Sequence, residues 1–162
     1  MYSLHCTKKL LDRVKLPIAA PAPPASTALG NWYATVLFWK PQVALLVNER
    51  TLLPVLMPLA PAATLTQRFP DTLNAILNQY GASAAFVPNE IGAMSEVTVI
   101  KTANRSVVGT MNEFSFLAEH YRDATIDTFD LIGLAMRLGR TPCGAVGYSR
   151  PAQLIKALLG NA

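Results

Sequence analysis

The chain has 162 residues, of which 51% are hydrophobic and 15% charged, and carries a net charge of +4. That balance excludes a disordered chain, a coiled coil and a heavily solvated repeat, because apolar residues are plentiful and charges few; the length suits a single domain, 1–162, with one core. The apolar stretches at 43–47 and 51–63 are too short, or too broken by proline, to cross a bilayer, which takes about 20 apolar residues.

The N-terminal sequence MYSLHCTKKLLDRVKL has charges but no following apolar segment and no small-residue cleavage site, which gives the expectation of a cytoplasmic protein with no membrane contact. Residues 2–6 read as a short strand and 8–14 as a short helix. Cys6 and Cys143 are the only cysteines, too few and too widely separated for a structural zinc site, and they read as free buried thiols. His5 is adjacent to Cys6, and on a strand adjacent side chains face opposite ways, so the two form no catalytic pair. No metal or cofactor is expected from any spacing in the chain.

The segment PIAAPAPPASTALG, residues 17–30, is rich in proline and alanine and reads as an exposed, partly polyproline-like loop that acts as a spacer. From residue 32 the pattern is that of an antiparallel meander, with strands at 32–40, 43–48 and 52–57 and connections short enough for hairpins. Pro54 lacks a ladder donor and puts the third of these strands at an edge or on a bulge. No glycine-rich crossover follows any strand, which removes the Rossmann and phosphate-loop readings.

Leu65, Phe69, Leu73, Ile76, Leu77 and Tyr80 fall at helical spacing before Gly81. Pro70 implies a helix that starts there with Phe69 leading in, or a kinked pair. Residues 82–96 show no clear period, 97–101 form a strand, and helices are expected at 105–121, 126–138 and 151–159. Alternation followed by a period of 3.6 indicates an α+β fold: an antiparallel sheet of about 4–5 strands packed with 3–5 helices.

The candidate site lies at the junction between strand 97–101 and the helix after it. Val107, Met111, Phe114, Leu117, Ala118 and Tyr121 form its apolar stripe, while Arg105, Gly109, Asn112, Glu113, Glu119 and His120 lie on the other side. Gly109 costs about 1 kcal/mol in a helix interior relative to alanine, which suggests close approach by a backbone or a ligand. Lys101 and Arg105 beside helix N-terminal amides favour an anion. The structural alternative has Asn104 or Ser106 as the cap and Arg105 paired with Glu113, Glu119 or Asp123. His120, with Glu113 or Glu119, offers general acid–base chemistry, whereas Ser106 lacks both a histidine and a glycine elbow.

Two further clusters are expected to border the same cleft: the hairpin tip Asn48, Glu49, Arg50, and the glycine-rich stretch 137–148 with Arg140, Thr141 and Tyr148. Of Trp32, Tyr33 and Trp39, at least two are assigned to the core. Charge is uneven, with basic ends around an acidic middle. Were the termini to meet, Lys8, Lys9, Arg13, Lys15, Arg137, Arg140, Arg150 and Lys156 would make one positive face; otherwise they are a solvated basic surface.

The runs CTKKL at 6–10, LGNWYA at 29–34 and VNERTL at 47–52, with KTANRSVVGTMNEF at 101–114 and Arg137 to Pro142, resemble a bacterial family of uncharacterised intracellular domains. The most specific part is Asn-Arg-Ser-Val-x-Gly-x-Met-Asn, and the resemblance implies one intact domain without naming a substrate. Three functional expectations follow. The first is an interaction module that binds an anionic group on a nucleic acid, nucleotide or partner protein through Lys101, Asn104, Arg105, Asn112, Glu113 and Arg140. The second is a phosphoester-cleaving, toxin-like ribonuclease using Glu113 or His120. The third is a structural or dimerising protein.

Overall fold

The computed structural model describes residues 1–19, 21, 23–124 and 130–160. In chain order the elements are β1 (Tyr2–Cys6), α1 (Lys8–Val14), β2 (Trp32–Leu37), β3 (Val43–Asn48), β4 (Pro54–Pro58), α2 (Leu65–Gln79), α3 (Phe86–Ala93), β5 (Val97–Lys101), α4 (Arg105–Ala124), α5 (Leu131–Leu138) and α6 (Pro151–Gly160). Single 3₁₀ turns stand at Ala62–Thr64 and Gly144–Val146.

The five strands form one sheet in the order β4-β3-β2-β1-β5. β2, β3 and β4 make the expected antiparallel meander, and β4, which begins and ends with proline, is an edge strand where a missing N–H breaks no ladder. The expectation of a wholly antiparallel sheet is corrected: β1 runs parallel to β2 and to β5. Parallel neighbours need a crossover of a dozen or more residues. The stretch 7–31, with α1 and the proline-rich loop, supplies it for β1 and β2. The described helices number six rather than three to five; the extra one, α3, occupies the stretch where no period was evident.

β1 has strand neighbours on both sides, and all five of its residues are buried. Alternation puts Tyr2, Leu4 and Cys6 on one face with Trp32, where Phe69 of α2 packs edge-on to the Trp32 ring at 5.0 Å. The other face carries Ser3, His5 and Tyr33; the residue before α4, Asn104, bonds to Tyr33 there, and α4 itself packs on β2 and β3. In α4 the predicted stripe holds: Val107, Met111, Phe114 and Ala118 are buried.

α2 runs from Leu65 to Gln79 with Pro70 inside it, so of the two expectations for this stretch the start at Pro70 is set aside. Arg68 secures that first turn. Its guanidinium donates to the carbonyls of Pro58, Leu59 and Pro61 at 2.8–3.0 Å, and its Nε donates to the Thr64 hydroxyl at 3.0 Å. α5 is capped by Asp130, whose Oδ1 accepts from the Ile132 amide; the earlier part of the expected helix, 126–129, lies outside the described residues.

In the proline-rich loop Pro17, Ile18 and Ala19 are exposed, whereas Thr27, Leu29 and Gly30 are buried. The Ala19 amide donates to the Val99 carbonyl on the outer edge of β5. Further along, the Ala28 and Leu29 amides donate to the two carboxylate oxygens of Glu90 at 2.8 and 3.1 Å. Glu90 is only 2% exposed. Burial raises its pKa, and these amide bonds oppose the shift. Neither anchor was anticipated, because Glu90 sits in the aperiodic stretch.

Candidate binding surface

At the start of α4 the cap is Asn104. Its Oδ1 accepts from the Ser106 amide at 3.0 Å and the Val107 amide at 3.4 Å. Its own amide donates to the Tyr33 hydroxyl at 3.0 Å. The Tyr33 ring lies flat on His5, with 4.4 Å between centroids and 2° between planes. β1, β2 and the start of α4 are thus joined through one stack. Among the described residues neither ring nitrogen of His5 has a partner within hydrogen-bond geometry; burial lowers its pKa, opposed by the Glu49 carboxylate and by the Lys101 backbone nearby.

The predicted site residues do not converge. Arg105, Asn112, Glu113 and His120 are all exposed on α4. At 1.5 Å per residue, Glu113 stands about 12 Å along the axis from Arg105, and His120 about 22 Å. Among the described residues the one ion pair is Glu119 with Arg122, at 3.9 Å. Lys101 is exposed on the α1 side of the sheet, where it lines a cleft of about 430 Å³ with Cys6, Lys8, Asp12 and Ile18, across the sheet from the Asn104–Tyr33 bond. Glu113 is near Cys143 instead, and its charge adds to the burial that pushes that thiol up to about 11. Arg140 stands by Tyr80 at the end of α2. It follows α5, which packs on β4, the sheet edge opposite β5.

Gly109 has no heavy atom within 4 Å of where a Cβ would lie, apart from its own helix. The described fold therefore does not use the close approach that this glycine permits. Asn48 is buried and structural: its Nδ2 donates to the Leu29 and Asn31 carbonyls, and its Oδ1 accepts from the Arg50 and Thr51 amides and the Thr51 hydroxyl. Trp32, Tyr33 and Trp39 are all buried.

A groove of about 590 Å³ runs across the end of β2, between α1 and the far half of α4. It is lined by Lys9, Phe38, Trp39, Lys40, Phe116 and Arg122, with Glu119 at its side. Phe38 is 53% exposed and Phe116 74%. The Lys9 ammonium stands 5.9 Å and the Arg13 guanidinium 5.3 Å from the Phe38 ring centroid; the Arg122 guanidinium lies 4.6 Å from the Trp39 ring. These are cation–π distances. Among the described residues none of Lys9, Arg13 and Lys40 meets a carboxylate within ion-pair distance.

Phe38 and Phe116 escaped the sequence reading for different reasons. Phe38 continues the alternation of the buried Val36, but the strand ends at Leu37, so alternation no longer buries it. Phe116 was legible. At 100° per residue it falls about 20° from Arg105 and about 200° from Phe114, a large apolar residue at the middle of a polar arc. Such a placement marks a surface rather than a core.

Fold and surface define a small α+β domain whose mixed sheet is sandwiched between helices and ends in an open groove of cations and aromatic rings. No group of three or more His, Cys, Asp or Glu side chains suited to a metal ion occurs among the described residues, and no described helix is long and apolar enough to cross a membrane. The chain belongs to the family DUF6933, a domain of unknown function, whose profile matches residues 3–154. That agrees with the resemblance to an uncharacterised family. No curated protein and no solved structure matches it.

Proposed function

We propose that this domain is an interaction module that binds an anionic partner at the groove across the end of β2 and along the exposed face of α4. The observation that carries this reading is the exposed Phe38 ring with Lys9 and Arg13 of α1 at 5.9 and 5.3 Å from its centroid, cations that meet no carboxylate among the described residues. A cation kept unneutralised beside an apolar surface attracts a counter-charge from outside the fold. Arg105 and Asn112 extend the same face of α4, and the open space over Gly109 leaves room for a partner to approach the helix backbone. On this reading Lys101 adds positive charge from the α1 side, Glu113 borders the contact as a polar acceptor, and Arg140 takes no part. Two free, buried cysteines are compatible with work in the reducing cytoplasm.

The test is retention on immobilised heparin, used as a generic polyanion. The wild-type protein is retained and elutes with rising salt. The Lys9→Glu, Arg13→Glu, Lys40→Glu triple variant, with an unchanged circular dichroism spectrum, elutes at the void. Equal retention of the two proteins would refute the reading.

A further inference from the structure

Building on that reading, we infer that the occupant of the groove is a single-stranded nucleic acid, with bases stacked on Phe38 and Phe116 and phosphates held by Lys9, Arg13 and Lys40. A charged surface alone attracts any polyanion. What this one adds is aromatic area among its charges: two phenyl rings, 53% and 74% exposed, in a groove that also holds two of the three cations. A single exposed ring is ordinary, but two lining one groove make an apolar patch rimmed by charge, the kind that marks a contact surface. Single-stranded binders combine a basic groove that tracks the backbone with rings on which successive bases stack, tolerant of sequence because every base has a flat face.

The neighbouring charges favour the same occupant. Glu119 is near Arg122, at 3.9 Å, so that pair is close to neutral and leaves Lys9 and Lys40 as the net charge of the groove, with Arg13 added beside Phe38. Arg13 and Lys9 stand directly beside the Phe38 ring. A base stacked on that ring brings its own phosphate within reach of both, so stacking and neutralisation act on one nucleotide. In a duplex the base faces are already stacked on each other, and an acidic peptide has no flat face to offer. Both therefore engage the cations and forfeit the rings.

The experiment is fluorescence anisotropy with a labelled twelve-nucleotide oligo(dT), the matching oligo(U), a twelve-base-pair duplex and poly-glutamate, on the full chain. Wild type binds the single strands at least about fivefold more tightly than the duplex or poly-glutamate. Phe38→Ala and Phe116→Ala each weaken single-strand binding about fivefold or more, the loss of one base–aromatic stack. Phe38→Tyr, which keeps a ring, retains the single-strand affinity. Equal affinity for single strand and duplex, tighter binding of poly-glutamate, or no effect of the phenylalanine variants would overturn the inference while heparin retention left the anionic surface standing. Loss of wild-type heparin retention would instead remove the reading on which it rests.

Discussion

Asn48→Ala is the substitution whose cost can be worked most directly from the structure. The side chain makes five hydrogen bonds, at 2.9 and 3.3 Å to the Leu29 and Asn31 carbonyls and at 2.9, 3.0 and 3.1 Å from Thr51 N, Thr51 Oγ1 and Arg50 N. Leu29 and Thr51 are buried, so alanine strands the Leu29 carbonyl and the N–H and O–H of Thr51, whereas the groups at Asn31 and Arg50 reach water. A stranded buried group costs about 1–3 kcal/mol, and water entering the vacated space recovers part of it, so the expected loss is about 3–5 kcal/mol. The backbone of Asn48 also brackets Leu52, which sits at a φ of +59°. The Leu52 amide donates to the Asn48 carbonyl and the Asn48 amide to that of Leu53. A bulky residue at positive φ holds only where its surroundings enforce it.

Urea unfolding followed by the fluorescence of Trp32 and Trp39 measures the loss. A fall of about 3–5 kcal/mol is a large share of the roughly 5–15 kcal/mol that holds a domain folded. Arg50→Ala is the control. It removes one exposed bond, from the guanidinium to the Ala28 carbonyl at 2.8 Å, and costs about 0.5 kcal/mol or less. A loss below about 1 kcal/mol for Asn48→Ala, with an unchanged denaturant slope, would refute the assignment of this residue as the lock of the β3–β4 turn.

Three further outcomes are expected. Gly139→Ala drives a Cβ to 2.5 Å from the Tyr80 hydroxyl oxygen and lowers stability by about 1–3 kcal/mol in urea titrations; Tyr80→Phe removes an oxygen that has no hydrogen-bond partner among the described residues, and in that background the same substitution costs less, whereas equal costs would show the contact to be unimportant. Gly109→Ala meets open space, so it stabilises the fold by about 1 kcal/mol in the same assay and weakens partner binding; a stabilised protein with full binding would remove Gly109 from the interface. Because burial sets the folded pKa of His5 below its ordinary value of 6.5, the unfolded chain binds the extra proton first, and stability falls as pH drops below about 6.5 towards the folded pKa. Comparison of wild type with His5→Gln at pH 7.5 and 5.5 checks this, the variant losing less; identical pH dependence would exclude His5 as the group responsible.

Local patterns in the chain located most of its elements and some of the chemistry. β1, β3 and β5 keep their predicted limits, and the apolar stripe of α4 is the buried one, because both depend on side-chain period alone. Strand direction was not legible. A segment such as YSLHC, buried on both faces, is compatible with parallel or antiparallel neighbours, and its β5 partner lies far along the chain. α3 escaped because FVPNEIGA has little amphipathic contrast, and its buried carboxylate, Glu90, is tolerated only through amides from the distant residues 28 and 29. Polar residues at the start of α4 were correctly seen as outward-facing, and Asn104 did become the cap. Their spacing along a single helix nevertheless keeps Arg105 and His120 about 22 Å apart. The groove depends on where β2 stops and on how α1 and α4 meet beyond it, which no local pattern encodes.

The measurement that bears most directly on the account is an amide chemical-shift titration of the isotopically labelled protein with the twelve-nucleotide oligo(dT). Perturbations concentrated at Lys9, Arg13, Phe38, Trp39, Lys40, Ser115 and Phe116, with the amides around Glu90 unmoved, are the predicted result. Shifts clustered away from the end of β2, or none at concentrations where the protein is retained on heparin, would contradict the assignment of this groove as the binding surface.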